Sequence, residues 1–285
     1  MPEYIGTCLV AANEKQSIYQ QQSKNDAMIN LVSSNLFKFM VNYYGAPAKD
    51  KIKYALFSQK GEKMAAIYQQ EFSTLAKEYN CVIVAGSIPS PDAFINSDGN
   101  LKVKTKGEIY NTAVVFGTDV KIIPPLVKKI FPVSDEQGFS ACGKADQTPI
   151  YSTNAEKMAL LICADSWFPK AYPTISGKAD FIVIPSFGGI HSIWNAPWDG
   201  YNGFVAPADV DTTEYKKNTE VDTWIKYSMS KRTDVANIHY GMNVFFTGNL
   251  WDLKPKGKIL MLNNDSLIVL APSVQQGKIV NLFIR

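Results

Sequence analysis

The stretch that most constrains this chain runs Met158-Ala-Leu-Leu-Ile-Cys163-Ala-Asp165-Ser-Trp-Phe168-Pro169. Apolar residues lead into a cysteine that is followed at once by small and polar residues, the pattern of a buried strand stopping at a turn. The aromatic-proline pair beyond it offers a helix start. A thiol at a strand-to-helix turn faces outward backbone N–H groups and the positive end of a helix dipole, so this placement predicts a lowered pKa and a reactive thiolate. A cysteine alone in an apolar run is more often a small core residue. The following segment shifts the balance. Gly177-Lys-Ala-Asp180 leads into Phe181-Ile-Val-Ile184-Pro185-Ser186, a second apolar strand ending at a Pro-Ser corner, and the pair predicts a strand, helix, strand unit.

Length and composition set the frame. A chain of 285 residues with 46% hydrophobic content fits one large α/β domain. A net charge of +3 without a basic stripe argues against nucleic acid or a membrane surface as partner. Cys8, Cys81, Cys142 and Cys163 are far apart, with no C-x-x-C pair and no paired histidines, so neither a zinc site nor a disulfide scaffold is indicated. Reduced thiols in a cytoplasm fit this usage, and no apolar run approaches the roughly 18 residues needed to span a bilayer. His191 has no Asn or Asp partner in a recognisable context, which disfavours a Cys163-His191 dyad.

The run Cys163-x-Asp165-x-x-Phe168-Pro169, followed by Ala179-Asp180 and a strand ending Pro185-Ser186, resembles the nucleophile region of the nitrilase superfamily, the carbon-nitrogen hydrolases. The resemblance implies a Glu, Lys and Cys triad on an α-β-β-α four-layer sandwich, so a lysine and a glutamate are expected upstream. Leu126-Val-Lys128-Lys129-Ile130-Phe131-Pro132 is extended, and strand alternation sends its two lysines to opposite faces. The run from Lys129 to Glu136 is similar to the family's lysine segment with its second glutamate. Lys129 is therefore the candidate and Lys128 the fallback. Pro2-Glu3, ahead of Gly6 and Leu9-Val-Ala-Ala12, looks like the family's Pro-Glu pair without the strand that should precede it. The resemblance then implies an N-terminally truncated domain that lacks a first strand, a helix and most of a second strand. No local segment is visible that would hold Glu3 in place. Lys53-Tyr-Ala-Leu-Phe57-Ser-Gln59 is a rival short apolar run, in which Gln59 would replace the base; the Pro-Glu dipeptide favours Glu3.

The rest of the chain falls into order around these segments. Residues 13–44 show mixed three- and four-residue apolar steps broken by Gly45-Ala-Pro47, a helical insertion at about 13–57 expected to cover the site's mouth. Glu62 to Tyr79 reads as an amphipathic helix and Cys81 to Ser87 as a buried strand. Asp98-Gly99 signals a hairpin, and Asn111 heads an apolar strand. An aromatic loop with Trp194, Trp198 and Tyr201 follows Ser186, and Trp167 and Trp194 are candidate substrate walls. A helix through Trp224 to Arg232 precedes a strand at Tyr240–Phe246, and Ser266 to Pro272 and Lys278 to Ile284 are expected to be two closing strands.

The expectation is a single carbon-nitrogen hydrolase domain over residues 1–285. Cys163 would attack an amide or nitrile carbon, Glu3 would act as general base and acid, and Lys129 with the Ala164 backbone N–H would stabilise the oxyanion, with Glu136 in support. No cofactor or metal is called for. The partner expected is a small-molecule substrate, and the resemblance implies a homo-oligomer. Acyl transfer through the same thioester, or a non-catalytic truncated homologue, are the alternatives.

Overall fold

In a computed structural model, which describes residues 1–153, 156–189, 191–271 and 277–284, the chain enters through a 3-10 turn at Thr7–Ala11 and four helices. These are α1 (Gln16–Tyr19), α2 (Lys24–Ser34), α3 (Leu36–Tyr44) and α4 (Lys51–Glu78). Ser23 and Asp50 start α2 and α4 by accepting bonds from Asp26 N and Lys53 N, each satisfying one amide that the first helical turn leaves free. The strands β1 (Ile83–Pro91), β2 (Phe94–Ile95), β3 (Leu101–Lys102), β4 (Ile109–Phe116) and β5 (Ile122–Lys128) follow, then the single turn α5 (Ser134–Gln137). After β6 (Ile150–Ser152), β7 (Lys157–Leu160) and β8 (Phe181–Ser186) come α6 (Glu220–Tyr227), α7 (Met229–Ala236), β9 (Tyr240–Phe245), β10 (Ile259–Asn263) and β11 (Ser266–Leu270). None of the described helices is long and apolar enough to cross a membrane.

Two sheets carry the architecture. One has the order β1-β4-β5 and the other β11-β10-β9-β8-β7-β6, while β2 and β3 form the small hairpin around Asp98-Gly99. The inner faces meet in a core where Ala113, Val115 and Val127 of the first sheet pack with Ala159, Leu160 and Ile182 of the second. The first sheet's outer face, through Val114 and Phe116, packs on Met64, Tyr68 and Phe72 of α4. Trp224, Tyr227, Met229 and Ala236 of α6 and α7 belong to the core of the second sheet. The result is a mixed α/β protein with helix, sheet, sheet and helix layers. Each buried Leu, Ile or Val contributes about 1.5–3 kcal/mol, enough in sum to fix the strand ends on which the site is built.

Several elements depart from the sequence expectation. Lys53 to Gln59 is not extended: it belongs to α4, which starts at Lys51 and passes through Gly61. A Cβ at Gly61 would meet Pro91 Cδ at 2.7 Å, so the glycine is there for close packing of β1 on the helix rather than to end it. The rival base Gln59 is thereby a mid-helix residue. The crossover between β7 and the parallel β8 contains 3-10 turns at Cys163–Trp167 and Pro169–Ala171 in place of the expected helix. Trp224 to Arg232 is two helices broken at Ser228, not one. The closing hairpin is β10 with β11. Lys278 to Ile284 forms no strand, and Pro272 lies outside the described residues.

Candidate active site

Glu3 is positioned from a distance. The register of β1 against β4 shifts between Val84 and Ser87, a bulge in which Gly86 has φ +75°. A Cβ on Gly86 would meet the Pro2 carbonyl oxygen at 2.0 Å, so only glycine lets the N-terminal segment lie this close. Tyr4 N donates to Ser87 Oγ and Gly6 N to Ser87 O, each at 3.0 Å. The missing local support expected for Pro2-Glu3 is thus supplied by a strand more than eighty residues away, and the Glu3 side chain is 1% exposed.

Lys129 follows the last residue of β5. Its N–H donates to Asn111 O at 2.9 Å and its carbonyl accepts from Gly143 N at 2.7 Å. A Cβ on Gly143 would come within 2.2 Å of Lys128 O. Strand alternation parts the lysine pair. Lys128 turns to Asp92 at 2.6 Å and lies over the Tyr110 ring, while Lys129 is buried. Its Nζ is 2.8 Å from Glu3 Oε1 and 2.5 Å from Glu136 Oε2. Glu136, in α5, also accepts from Val133 N and from the Tyr4 hydroxyl. The Asn111 amide donates to Glu3 at 2.8 Å and to Glu136 at 3.1 Å. Sequence inspection missed Tyr4 and the bridging role of Asn111. A polar residue in an apolar strand is a signal for Asn111; nothing local marks Tyr4.

Cys163 sits at φ +50°, left-handed backbone that costs a non-glycine residue about 1–3 kcal/mol and is tolerated where neighbours over-determine it. Here Ser166 Oγ donates to Cys163 O at 2.7 Å. Asp165 reaches both flanks of the turn: its Oδ1 accepts from Ile130 N and Phe131 N, and its Oδ2 from Ile162 N, at 2.8–3.2 Å. The thiol lies within hydrogen-bonding reach of the Phe187 carbonyl oxygen at 3.9 Å, and Glu3 and Lys129 are the charged groups that act on it.

The thiol's electrostatics differ from expectation. Burial, and then the Glu3 carboxylate, push the Cys163 thiol well above its ordinary range, against the pull of Lys129. The expected helix dipole is absent because the turn is five residues of 3-10 helix. Burial also raises Glu3, with Lys129 opposing and Glu136 adding to the rise. For Lys129 burial works against the charge, and Glu136 and Glu3 outweigh it, holding the ammonium well above its usual range. Burial and Glu3 thus favour the neutral thiol, and Glu136 and Glu3 keep Lys129 an ammonium across from it. Such a set can pass a proton from sulfur to carboxylate as sulfur bonds to carbon, while the ammonium faces any negative charge that develops.

A cavity of about 460 Å³ opens over this cluster. Ala164, Trp167 and Trp194 all line it, as do Met28, Leu31, Leu56 and Phe57 from the helical segment. The Trp194 indole is anchored on the Lys256 carbonyl. The His191 side chain lies outside the described residues. Among the described residues no group of three or more His, Cys, Asp or Glu is placed to hold a metal ion.

Two packed sheets between helix layers, with a thiol, an ammonium and two carboxylates gathered where β5 and β7 end, define the class: an α/β sandwich with a buried thiol centre under a cavity. The carbon-nitrogen hydrolase family model matches residues 43–200, more than half of the chain, and the chain belongs to that family. The matched span contains Lys129, Glu136 and Cys163, and Glu3 lies outside it. Among solved structures, the carbon-nitrogen hydrolase from Helicobacter pylori G27 is similar at 17% identity and a TM-score of 0.52, over 74% of this chain and 66% of that one. The amidase from Nesterenkonia sp. AN1 is similar at 12% identity and a TM-score of 0.51, over 88% of this chain and 85% of that one. No curated protein matches the sequence.

Proposed function

We propose that the chain hydrolyses a small amide or nitrile through a thioester or thioimidate on Cys163. The observation that carries this is the buried Glu3–Lys129–Glu136 network gathered with Cys163 in the lining of one cavity. In the amide reaction Cys163 Sγ bonds to the carbonyl carbon as its proton passes to Glu3. The oxyanion is held by Lys129 Nζ and the Ala164 N–H, and the amine departs with the proton from Glu3. Water then gives a proton to Glu3 and attacks the thioester, and the thiol leaves with that proton. Glu136, Asn111 and Tyr4 hold the lysine and the glutamate in place. Removing one oxyanion donor typically costs about 100- to 1000-fold in rate.

The test is intact-protein mass and ammonia release with a panel of small amides and nitriles, including acrylamide. A mutant of the Nesterenkonia amidase is described with Michael addition of acrylamide at its active site cysteine. A Cys163-dependent acyl adduct and ammonia release are expected, with both lost in Cys163→Ala and turnover reduced at least about 100-fold in Lys129→Met. Turnover that survives Cys163→Ala overturns the assignment. The apolar lining from Leu31, Leu56 and Phe57 favours a second reading, acyl transfer to an amine, which a hydroxamate product formed in competition with acid on adding hydroxylamine measures.

A further inference from the structure

We propose that this cavity selects substrates that carry a cationic group, which Glu220 receives beside the Trp194 and Trp224 wall; the inference rests on carbon-nitrogen hydrolysis at Cys163 and names its substrate class. The charges at the reacting end are internally matched, since Lys129 already answers Glu3 and Glu136. Glu220 lines the same cavity from the first residue of α6. No cation among the described residues pairs with its carboxyl. The charge that Glu220 does feel is acidic, from Asp199. Burial holds its pKa up at about 7, the behaviour of a carboxylate without its counter-ion.

A helix-start glutamate often serves the helix itself. Here that role is filled: Thr219 Oγ1 caps Asp222 N and bonds the Asp222 carboxylate. The surroundings instead suit a cation. The rings of Trp194 and Trp224 lie 6.2 Å apart at 35°, both are more than nine-tenths buried, and both line the cavity. Tryptophan faces attract ammonium groups, and a nearby carboxylate adds a charge-assisted bond. Trp224 packs on Trp167 at 4.9 Å, and Trp167 closes the turn that begins with Cys163. A contiguous aromatic wall therefore joins the carboxylate to the thiol, which fits an apolar spacer between the cationic end and the reacting carbon. Lys53 and Lys24 also line the cavity, but Lys53 is paired with Asp50 and Lys24 is half-exposed at the start of α2.

The experiment compares linear ω-amino amides of graded length with isosteres ending in methyl and with analogues ending in carboxylate, at pH 8.5, where Glu220 is ionised. The expected result is kcat/KM at least about ten-fold higher for an ω-amino amide than for its methyl isostere. In Glu220→Gln that ratio falls to about one. Preference for the methyl or carboxylate series, or a preference that survives Glu220→Gln, overturns the proposal. In parallel, binding of n-hexylammonium to Cys163→Ala is measured by calorimetry with and without Glu220→Gln. Binding that Glu220→Gln weakens about ten-fold, together with a wild-type chain that turns over no amide, keeps the cation site and refutes the hydrolase reading; failure of hexylammonium to bind better than hexanol refutes the cation site. The wild-type comparison decides the matter even where Glu220→Gln does not fold.

Discussion

Asp165 takes no part in the proposed reaction, yet its two oxygens tie the residues after Lys129 to the residue before Cys163. Asparagine in its place keeps one acceptor and turns an amide N–H toward a backbone N–H. Asp165→Asn is expected to lower kcat about 100-fold with a smaller change in KM, since a displacement near 1 Å in a reacting pair costs about that much. Its effect on stability depends on pH. Burial raises the carboxyl to about 7 in the folded chain, against the N–H donors and Lys129, while the unfolded value is about 3.9. The folded state thus keeps a proton that the unfolded state gives up. This contribution is complete below about pH 3.9, shrinks as pH rises, and is gone above about pH 7. The cost of Asp165→Asn in urea unfolding should accordingly be larger at pH 5.5 than at pH 8, by roughly 2 kcal/mol for about 1.5 pH units. An equal cost at both values would mean that Asp165 is ionised throughout. The sequence displayed Asp165 two positions after the cysteine but nothing of its partners, because two of its three N–H donors come from a segment 34 and 35 residues upstream.

Among the elements, the bulge in β1 shows why part of the candidate site was legible and part was not. Strand alternation is a local rule, so the separation of Lys128 from Lys129 could be foreseen and is what the backbone shows. The support of Glu3 is non-local: it depends on an 83-residue return of the chain and on one positive-φ glycine inside an apolar strand. Helix α4 was half legible for a related reason. Its Lys60 is buried on Glu14 and its Gly61 under Pro91, so tertiary contacts disguise a helical face as a break. Gly86→Ala tests the bulge. The added Cβ meets a backbone oxygen, which cannot rotate away, and φ +75° strains any L side chain. Pro2-Glu3 must then retreat. Turnover is expected to fall at least about 100-fold, at a stability cost of about 1–3 kcal/mol, with circular dichroism unchanged. Undiminished kcat in a folded Gly86→Ala protein would separate Glu3 from the chemistry.

At the scale of the molecule, both sheets follow from apolar runs, whereas the cavity depends on how the helical segment closes over them. Periodicity made residues 13–44 helical and could not say what they touch. The contacts are polar clasps between distant parts of the chain: Lys24 N donates to Asp252 at 2.7 Å, and the Trp251 indole donates to Ile18 O at 2.9 Å. These bonds hold α1 and α2 against the loop that follows β9, and so make Met28 and Leu31 part of the cavity wall. Leu31 is also fully packed in the helical core, where a larger side chain would cost stability, whereas Met28 is half-buried and has room to change. Met28→Trp should therefore take volume from the cavity without disturbing the cluster beneath it. The expected outcome is a loss of at least about ten-fold in kcat/KM for amides with long acyl chains, equivalent to about 1.4 kcal/mol, with short amides turned over as before. Equal losses on long and short amides would instead place Met28 on the path to the thiol rather than on the wall that measures chain length, and an unchanged profile would show that the long substrates never reach the helical segment.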